Sequence, residues 1–250
     1  MKKTLFILLA AALLLCSCAE AEKPVEETPE TQETQETEAV VFPRYNETLS
    51  PNGEYLLYNH SPIDTVKHGV TGLMVGVEKD GKPIHAINVN SLVSMDIMGV
   101  EWLSDSYFAV TTHVNPSTLE YFIYSVETGE EVACYNGYSF TPIKGEEPRV
   151  IYAENVPHGF GAQAYHSYAI NGTTVYTSAE QGALLSEVVF SEDMTLVAFI
   201  EKFDYETGRP DLLVTGHFDG SLIEVLEKTE LDPNVPHNIK ISPEGVVTVE

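Results

Sequence analysis

Two histidines and one glutamate recur at matching places along the chain. Each follows a serine that opens a predicted turn, at a distance of nine or ten residues: His60 after Ser50, His113 after Ser104, and Glu201 after Ser191. Imidazole and carboxylate groups bind metal ions or exchange hydrogen bonds with acidic ligand groups. If the loops that carry them meet on one face, these three residues form a candidate ligand-binding site. The alternative is that they are ordinary polar residues at loop starts.

Aromatic residues provide a second candidate for recognition. Tyr135, Tyr138 and Phe140 surround Gly137 in a stretch without clear periodicity, where a glycan or peptide could stack. We therefore add Tyr138 to the candidate ligand-binding residues. The sequence contains no nucleophile elbow, no His-Glu-x-x-His pair, no phosphate-binding glycine loop and no EF-hand loop. No catalytic residue, metal ligand or cofactor is predicted.

The amino-terminal cysteines have a different chemistry available to them. Lys2 and Lys3 precede an apolar stretch that ends at Leu15, which is shorter than the roughly 20 residues of a membrane span. The run Leu15-Cys16-Ser17-Cys18 then resembles the lipobox of bacterial lipoproteins. The resemblance implies cleavage between Ser17 and Cys18, and diacylglycerol on the Cys18 thiol. Cys16 is the competing candidate, but it follows Leu15, which is too large for the small-residue position. An ordinary signal peptide is the other alternative.

Composition divides the rest of the chain into a tether and a domain. Residues 19–39 hold eight Glu and no aromatic residue, so they cannot bury enough apolar surface to offset the entropy of ordering. We predict a signal peptide at 1–17, a lipidated cysteine with a disordered acidic linker at 18–39, and a folded domain at 40–250. The expected location is the extracytoplasmic face of a cell membrane, through the lipid anchor.

The charge of the chain excludes one class of partner. Its formal net charge is −25, and loss of Lys2 and Lys3 with the signal leaves 11 basic and 38 acidic residues. Nucleic acid binding requires basic patches that neutralise phosphates, so it is not expected. Cys134 is the only cysteine left besides Cys18, which excludes a disulfide within the domain, and its strand-like surroundings predict a small buried residue.

The domain sequence repeats a pair of turns between short strands. Glycines 81, 129, 172 and 220 lie in hairpin turns spaced 48, 43 and 48 residues apart. Serines 50, 104, 191 and 242 open a second class of turn with spacings of 54, 87 and 51 residues. The spacing of 87 indicates one decayed copy near residues 147–153, with Val150-Ile-Tyr152 as its strand. The unit of about 43–54 residues is typical of four-stranded propeller blades.

The two halves of this unit are similar to those of TolB-like and WD40-like propellers. The residues that carry the resemblance are Leu49-Ser-Pro-Asn-Gly-Glu-Tyr-Leu-Leu-Tyr58 and Phe122-Ile-Tyr-Ser-Val-Glu-Thr-Gly-Glu130. It implies an all-β, propeller-like array of four to five four-stranded antiparallel blades. The alternatives are a ring closed with help from residues 39–42 and 246–249, and an open, stacked array. The motifs concern structure, so no functional site is carried over.

Three functional hypotheses remain open at this point. The first is a non-enzymatic binding or scaffold lipoprotein for a protein, peptide or envelope ligand. The second is a propeller hydrolase or lyase with a dispersed active site that includes His60 or His113. The third is an accessory subunit of a cell-envelope complex.

The lipobox resemblance generates the first prediction. Cys18→Ala removes the thiol that would carry the diacylglycerol, so metabolic labelling with radioactive palmitate should be lost. Cys16→Ala is the matched control and should retain the label. Label on the Cys18 variant would show that another residue is lipidated or that the assignment is wrong.

Overall fold

A computed structural model of the chain describes residues 42–61, 72–89, 91, 96–115, 118–154, 156–158, 162–232, 235 and 237–250. In these residues all regular structure is antiparallel β-strand, apart from a single 3-10 turn at Tyr205–Thr207. This confirms the all-β prediction, which rests on β-branched and aromatic runs between glycine turns. Across the same residues, no helix has the length and apolar character needed to span a bilayer.

The first four strands form a separate sheet, here called unit 1, in which each strand pairs with the next along the chain. They are β1 (Tyr45–Leu49), β2 (Tyr55–Asn59), β3 (Leu73–Lys79) and β4 (Lys82–Val89).

The second sheet has seven strands. In chain order its members are β5 (Ile97–Trp102), β6 (Tyr107–Asn115), β7 (Thr118–Ser125), β8 (Glu131–Ile143), β9 (Arg149–Glu154), β12 (Ser167–Ile170) and β13 (Thr173–Thr177). The strands β10 (Val156–His158) and β11 (Ala162–Ala164) lie between β9 and β12 in the chain and form a separate hairpin with each other. The first half of β8 pairs with β7 and its second half with β9. We therefore call β5, β6, β7 and the first half of β8 unit 2, and the second half of β8 with β9, β12 and β13 unit 3.

The seven-stranded sheet folds back on itself within β8. Ser139 has a φ of 53°, and the pairing with β9 shifts between Tyr138 and Thr141, which marks a bulge that bends the strand. Rings from the two halves then stack on each other. Phe140 lies 4.6 Å from the Tyr121 ring centroid and 5.1 Å from that of Tyr152. Units 2 and 3 are thus two sheets packed face to face.

The last strands form unit 4 and a terminal hairpin. In unit 4, β14 (Leu184–Leu185) and β15 (Val189–Phe190) both pair with β16 (Leu196–Lys202), which is followed by β17 (Asp211–Phe218) and β18 (Ile223–Leu231). The terminal hairpin is β19 (Ile239–Ile241) and β20 (Val247–Val249).

Each pair of successive units shares one apolar cluster. Representative members are Val75 and Phe122 between units 1 and 2, Tyr121 and Val150 between units 2 and 3, Tyr168 and Phe199 between units 3 and 4, and Ile200 and Ile239 between unit 4 and the terminal hairpin. A single sheet cannot bury its apolar faces alone, so neighbouring sheets stack to form a continuous core.

The units that follow one another along the chain correspond to the predicted sequence repeats. The decayed copy corresponds to unit 3, whose second strand is β9 and contains Val150-Ile-Tyr152. The other four serine turns connect the first and second strands of their units or hairpin. Among the described strands, none joins the terminal hairpin to unit 1. Residues 39–41, part of the predicted closing segment, lie outside the described range.

One hairpin glycine also fixes the contact between units 1 and 2. Gly129 has a φ of 70°, and a Cβ atom there would lie 2.7 Å from Nδ1 of His85. The Nε2–H group of His85 donates to the Val126 carbonyl oxygen at 2.7 Å, which joins β4 to the β7–β8 turn. A side chain at position 129 would therefore lower the stability in two ways, through strain at the positive φ and through the contact with the His85 ring.

Gly129→Ala should lower the free energy of unfolding more than Gly81→Ala does. Gly81 has nearly the same φ, 71°, but no atom within 4 Å of its Cβ position, so it measures backbone strain alone, about 1 kcal/mol. The additional cost at Gly129 is about 1 kcal/mol for the displaced hydrogen bond. Urea unfolding measures both. Equal losses in the two variants would contradict this account of the contact.

Candidate functional site

In every unit the pairing between the first and second strands is interrupted by a bulge. Between two paired positions, the first strand has one more residue than the second. The paired positions that show this are Tyr45–Asn59 and Thr48–Leu57 in unit 1, Ile97–Thr112 and Gly99–Thr111 in unit 2, Tyr138–Ala153 and Thr141–Ile151 in unit 3, and Leu185–Glu201 and Val189–Ala198 in unit 4. A bulge of this kind turns a side chain away from the sheet.

Beside each extra residue lies an exposed apolar side chain, which we call a bulge side chain. The four are Tyr45, Met98, Tyr138 and Leu184, with exposed fractions of 44%, 58%, 45% and 45%. The first strands of units 1 and 2 contact each other, and the first strands of units 3 and 4 do so as well. The Trp102 indole N–H donates to the Thr48 carbonyl oxygen at 3.1 Å, and the Thr141 hydroxyl to that of Val188 at 3.4 Å.

Two of the bulge side chains line one cleft between units 3 and 4. Tyr138 and Leu184, with Tyr165 and Leu185, form its apolar walls around a volume of about 470 Å³. Its polar rim consists of Ser139, Ser186, Glu187 and Lys202. The volume lies within the range of about 300–1,000 Å³ that is common for small-molecule sites.

Tyr165 fixes the position of the two walls. Its ring lies 5.9 Å from that of Tyr138, and its hydroxyl lies 2.9 Å from the Thr118 hydroxyl. The Leu185 amide donates to the Tyr165 carbonyl oxygen at 2.9 Å. Tyr165 thus contacts units 2, 3 and 4 together. These backbone and side-chain contacts hold the walls of the cleft in place.

Three polar groups at the cleft have no partner in the described part of the chain. The Lys202 ammonium and the Glu187 carboxylate form no ion pair within 4.0 Å, with each other or with any other described residue. The Tyr138 hydroxyl also forms no hydrogen bond there. Lys202 lies directly opposite Leu184 on the neighbouring strand, so its charge stands beside the apolar wall. These groups are available to a ligand.

The two candidate histidines lie in other units. His60 follows β2, and its Nδ1–H group donates to the Pro43 carbonyl oxygen at 2.8 Å. Its ring packs against those of Phe42 and Tyr58, at 5.5 and 5.3 Å, so it anchors the segment that enters β1. His113 is exposed on β6, opposite Leu119.

The structure does not bring His60, His113 and Glu201 together as a metal centre. Within the described residues, no group of three or more His, Cys, Asp or Glu side chains is placed to hold an ion. Ligand binding by either histidine stays a prediction. Of the four candidates, Tyr138 lines the cleft; Glu201 pairs with Leu185 in the cleft wall but does not itself line it.

Glu201 is fully buried and its hydrogen-bonding capacity is used within the fold. It accepts hydrogen bonds from the Tyr176 hydroxyl at 2.5 Å and the Lys228 ammonium at 2.7 Å. Burial alone would raise the pKa of this carboxyl, but the hydrogen bonds from Lys228, Tyr176 and Ser178 outweigh it and hold the pKa below 4.5. Glu201 therefore joins units 3 and 4 rather than facing a ligand.

Other shielded carboxylates are satisfied in the same way. Glu78 accepts from Arg44 Nη1 at 3.0 Å, and Glu120 accepts from the Thr112 hydroxyl at 3.0 Å. Glu101 accepts from the Tyr121 hydroxyl at 2.7 Å. Burial raises the Glu101 pKa, the Tyr121 bond opposes that rise, and the nearby Glu187 carboxylate adds to it. Glu187, by contrast, is exposed and forms no ion pair with another described residue.

Cys134 is exposed, so the prediction of a buried residue is wrong. It lies in the first half of β8, which among the described strands pairs with β7 on one side only. Partial burial, with smaller contributions from the Glu131 and Glu120 carboxylates, raises its pKa to about 12. The group is a thiol at neutral pH and a weak nucleophile.

Comparison with known proteins finds similarity in three-dimensional structure but none at the level of sequence families. No family model matches the chain, and no curated protein sequence matches it. Similar solved structures include the β-propeller domain of the trilobed protease from Pyrococcus furiosus, with 14% identity, TM-score 0.43, and coverage of 79% of this chain and 60% of that one. Another is prolyl oligopeptidase B from Galerina marginata, with 12% identity, TM-score 0.48, and coverage of 83% and 34%.

A third is the β-propeller domain of Cps50 (Swd1) from Myceliophteria thermophila, with 13% identity and TM-score 0.42, covering 82% of this chain and 66% of that one. The chain thus spans between about a third and two thirds of the length of these structures. Likeness at this level transfers neither an activity nor a ligand to the chain.

Glu201→Gln should destabilise the domain at pH 7 by about 1–3 kcal/mol, because Lys228 loses its charged partner. Since the folded pKa of Glu201 is lowered, its contribution is complete above pH 4.5 and is lost as the pH falls through the folded pKa. The difference between wild type and variant should therefore shrink on acidification. Unfolding in urea at pH 7, 5 and 3 measures it.

Glu180→Gln is the matched control. Its partner Arg209 and Glu180 itself are both more than a third exposed, so its loss should cost about 0.2–1 kcal/mol at pH 7. A pH-independent difference for the Glu201 variant would contradict the assigned ion pair.

Proposed function

We propose that the chain is a lipid-anchored, extracytoplasmic binding module whose ligand enters the cleft between units 3 and 4. The stacked antiparallel units form an open, propeller-like scaffold that holds this cleft. Cys18 carries the lipid, and the acidic segment 18–39 lets the domain reach ligands away from the bilayer.

The observation that carries the proposal is the contrast between two kinds of polar group. The carboxylates shielded inside the units accept hydrogen bonds from tyrosine, threonine, arginine or lysine side chains. At the cleft, Glu187, Lys202 and the Tyr138 hydroxyl surround exposed apolar walls without such partners in the described part of the chain. Apolar walls with a few convergent polar groups are the usual composition of a binding site.

The same contrast favours binding over hydrolysis. A general acid or base must reach the substrate, and it needs a pKa near the working pH. Glu201 is buried and hydrogen-bonded to Lys228, while Glu101 is held by Tyr121. Cys134 keeps its proton at neutral pH. Glu201 and Glu101 therefore make contacts within the fold.

Tyr138→Ala should abolish ligand-dependent stabilisation of the protein. We suggest thermal unfolding of the purified intact chain in detergent with two sets of probes, short peptides and neutral β-linked oligosaccharides. A probe at 100 times its Kd should stabilise wild type by about 2.7 kcal/mol, which raises the Tm by a few degrees. The same probe should leave the Tm of the Tyr138 variant unchanged.

The matched control for this experiment is Tyr45→Ala. Tyr45 has nearly the same exposure and precedes the equivalent bulge in unit 1, but it does not line the cleft. This variant should respond to the probe as wild type does. The proposal fails if no probe raises the Tm, or if the shift persists in the Tyr138 variant.

A further inference from the structure

We propose that the cleft binds a short zwitterionic peptide, with one apolar side chain between Tyr138 and Leu184. The peptide carboxylate would pair with Lys202 and its amino group with Glu187. This inference rests on the proposed function, because it specifies which ligand class the same cleft accepts.

The charges of the cleft are the first argument. Lys202 and Glu187 line one cleft and yet lie too far apart to form an ion pair, and neither has another partner in the described residues. A ligand with one charge of each sign completes two ion pairs at once. Charge-assisted hydrogen bonds of this kind are about twice as strong as neutral ones.

The span between these charges is the second argument. Leu184 lies opposite Lys202, and Glu187 follows three residues later along the chain. At roughly 3.3–3.6 Å per extended residue, the Cα atoms of Leu184 and Glu187 lie no more than about 11 Å apart, and Lys202 stands across one strand pair from Leu184. An extended dipeptide or tripeptide has its two termini at a comparable distance.

The walls supply the third argument, since they select an apolar side chain. The Tyr138 ring is 45% exposed and tilted by 46° against the Tyr165 ring, while Leu184 is exposed to the same extent on the opposite wall. An aromatic ring in the ligand could pack against Tyr138 in the offset or edge geometry that aromatic pairs prefer, and against Leu184 through apolar contact.

Other ligand chemistries leave part of this site unsatisfied. A purely anionic ligand would be repelled by Glu187 and by the net charge of −25. A purely cationic ligand would cover Lys202 without pairing it. A neutral glycan could stack on Tyr138, but it would desolvate both charges without neutralising either, which opposes binding. The observations therefore favour the zwitterionic peptide over the glycan.

The test is a calorimetric titration of the intact chain in detergent with the tripeptide alanyl-phenylalanyl-alanine. The same tripeptide is then titrated with its amino terminus acetylated, and separately with its carboxyl terminus amidated. Each block removes one charge, so each should weaken binding at least tenfold. Blocked peptides that bind as tightly as the free one would overturn the inference.

Two variants assign each charge to its residue. Lys202→Met should bind the free and the amidated peptide equally, while it still prefers the free amino terminus. Glu187→Gln should show the reverse pattern, a lost preference for the free amino terminus only. Lys82→Met, which changes an exposed lysine of unit 1 away from the cleft, should keep both preferences. A preference that survives in the variant assigned to it would overturn the pairing.

Failure of this inference is distinguishable from failure of the proposed function. If a neutral oligosaccharide stabilises wild type but not Tyr138→Ala, and the peptide does not bind, the cleft is a binding site and the peptide assignment is wrong. If neither probe binds, both proposals are wrong. Peptide binding that survives in Tyr138→Ala would place the ligand elsewhere and also contradict both.

Discussion

Face-to-face packing of small sheets is the constraint on which the rest of this structure depends. A four-stranded sheet of this size carries apolar residues on both faces and gains stability only when each face is covered. Successive units meet that need by sharing one apolar cluster at each junction. Even the seven-stranded sheet obeys it, because β8 bends at Ser139 so that Tyr121 and Phe140 can stack.

The bulges on the first strands connect this packing to the candidate site. Each extra residue bends its strand and leaves one apolar side chain exposed beside the neighbouring unit. Between units 3 and 4 two such side chains, Tyr138 and Leu184, face a single cleft. The carboxylates shielded inside the units accept hydrogen bonds and stabilise the array. Glu187 and Lys202, at the cleft, can instead contact a ligand.

The sequence predicted the repeat well because its turns depend on local chemistry. Positive φ values at Gly81 and Gly129 and the serine turns require particular residues, so their spacing revealed the units, including the weak third copy at β9. The site was harder to predict because it depends on pairing between distant strands. Tyr138 was found from its aromatic surroundings, but Leu184, Glu187 and Lys202 carry no local motif. Glu201 was a sequence candidate because of its spacing from Ser191, but its buried pairing with Lys228 depends on a strand 27 residues away.

Hydrogen–deuterium exchange on the intact chain tests the central claim most directly, since it reports where a ligand protects the backbone. With alanyl-phenylalanyl-alanine at saturation, we expect slower amide exchange at residues 137–139 and 184–187. Residues 45–47, at the equivalent bulge of unit 1, should exchange at an unchanged rate. Equal protection at both bulges, or none between units 3 and 4, would contradict the assignment of this cleft as the binding site.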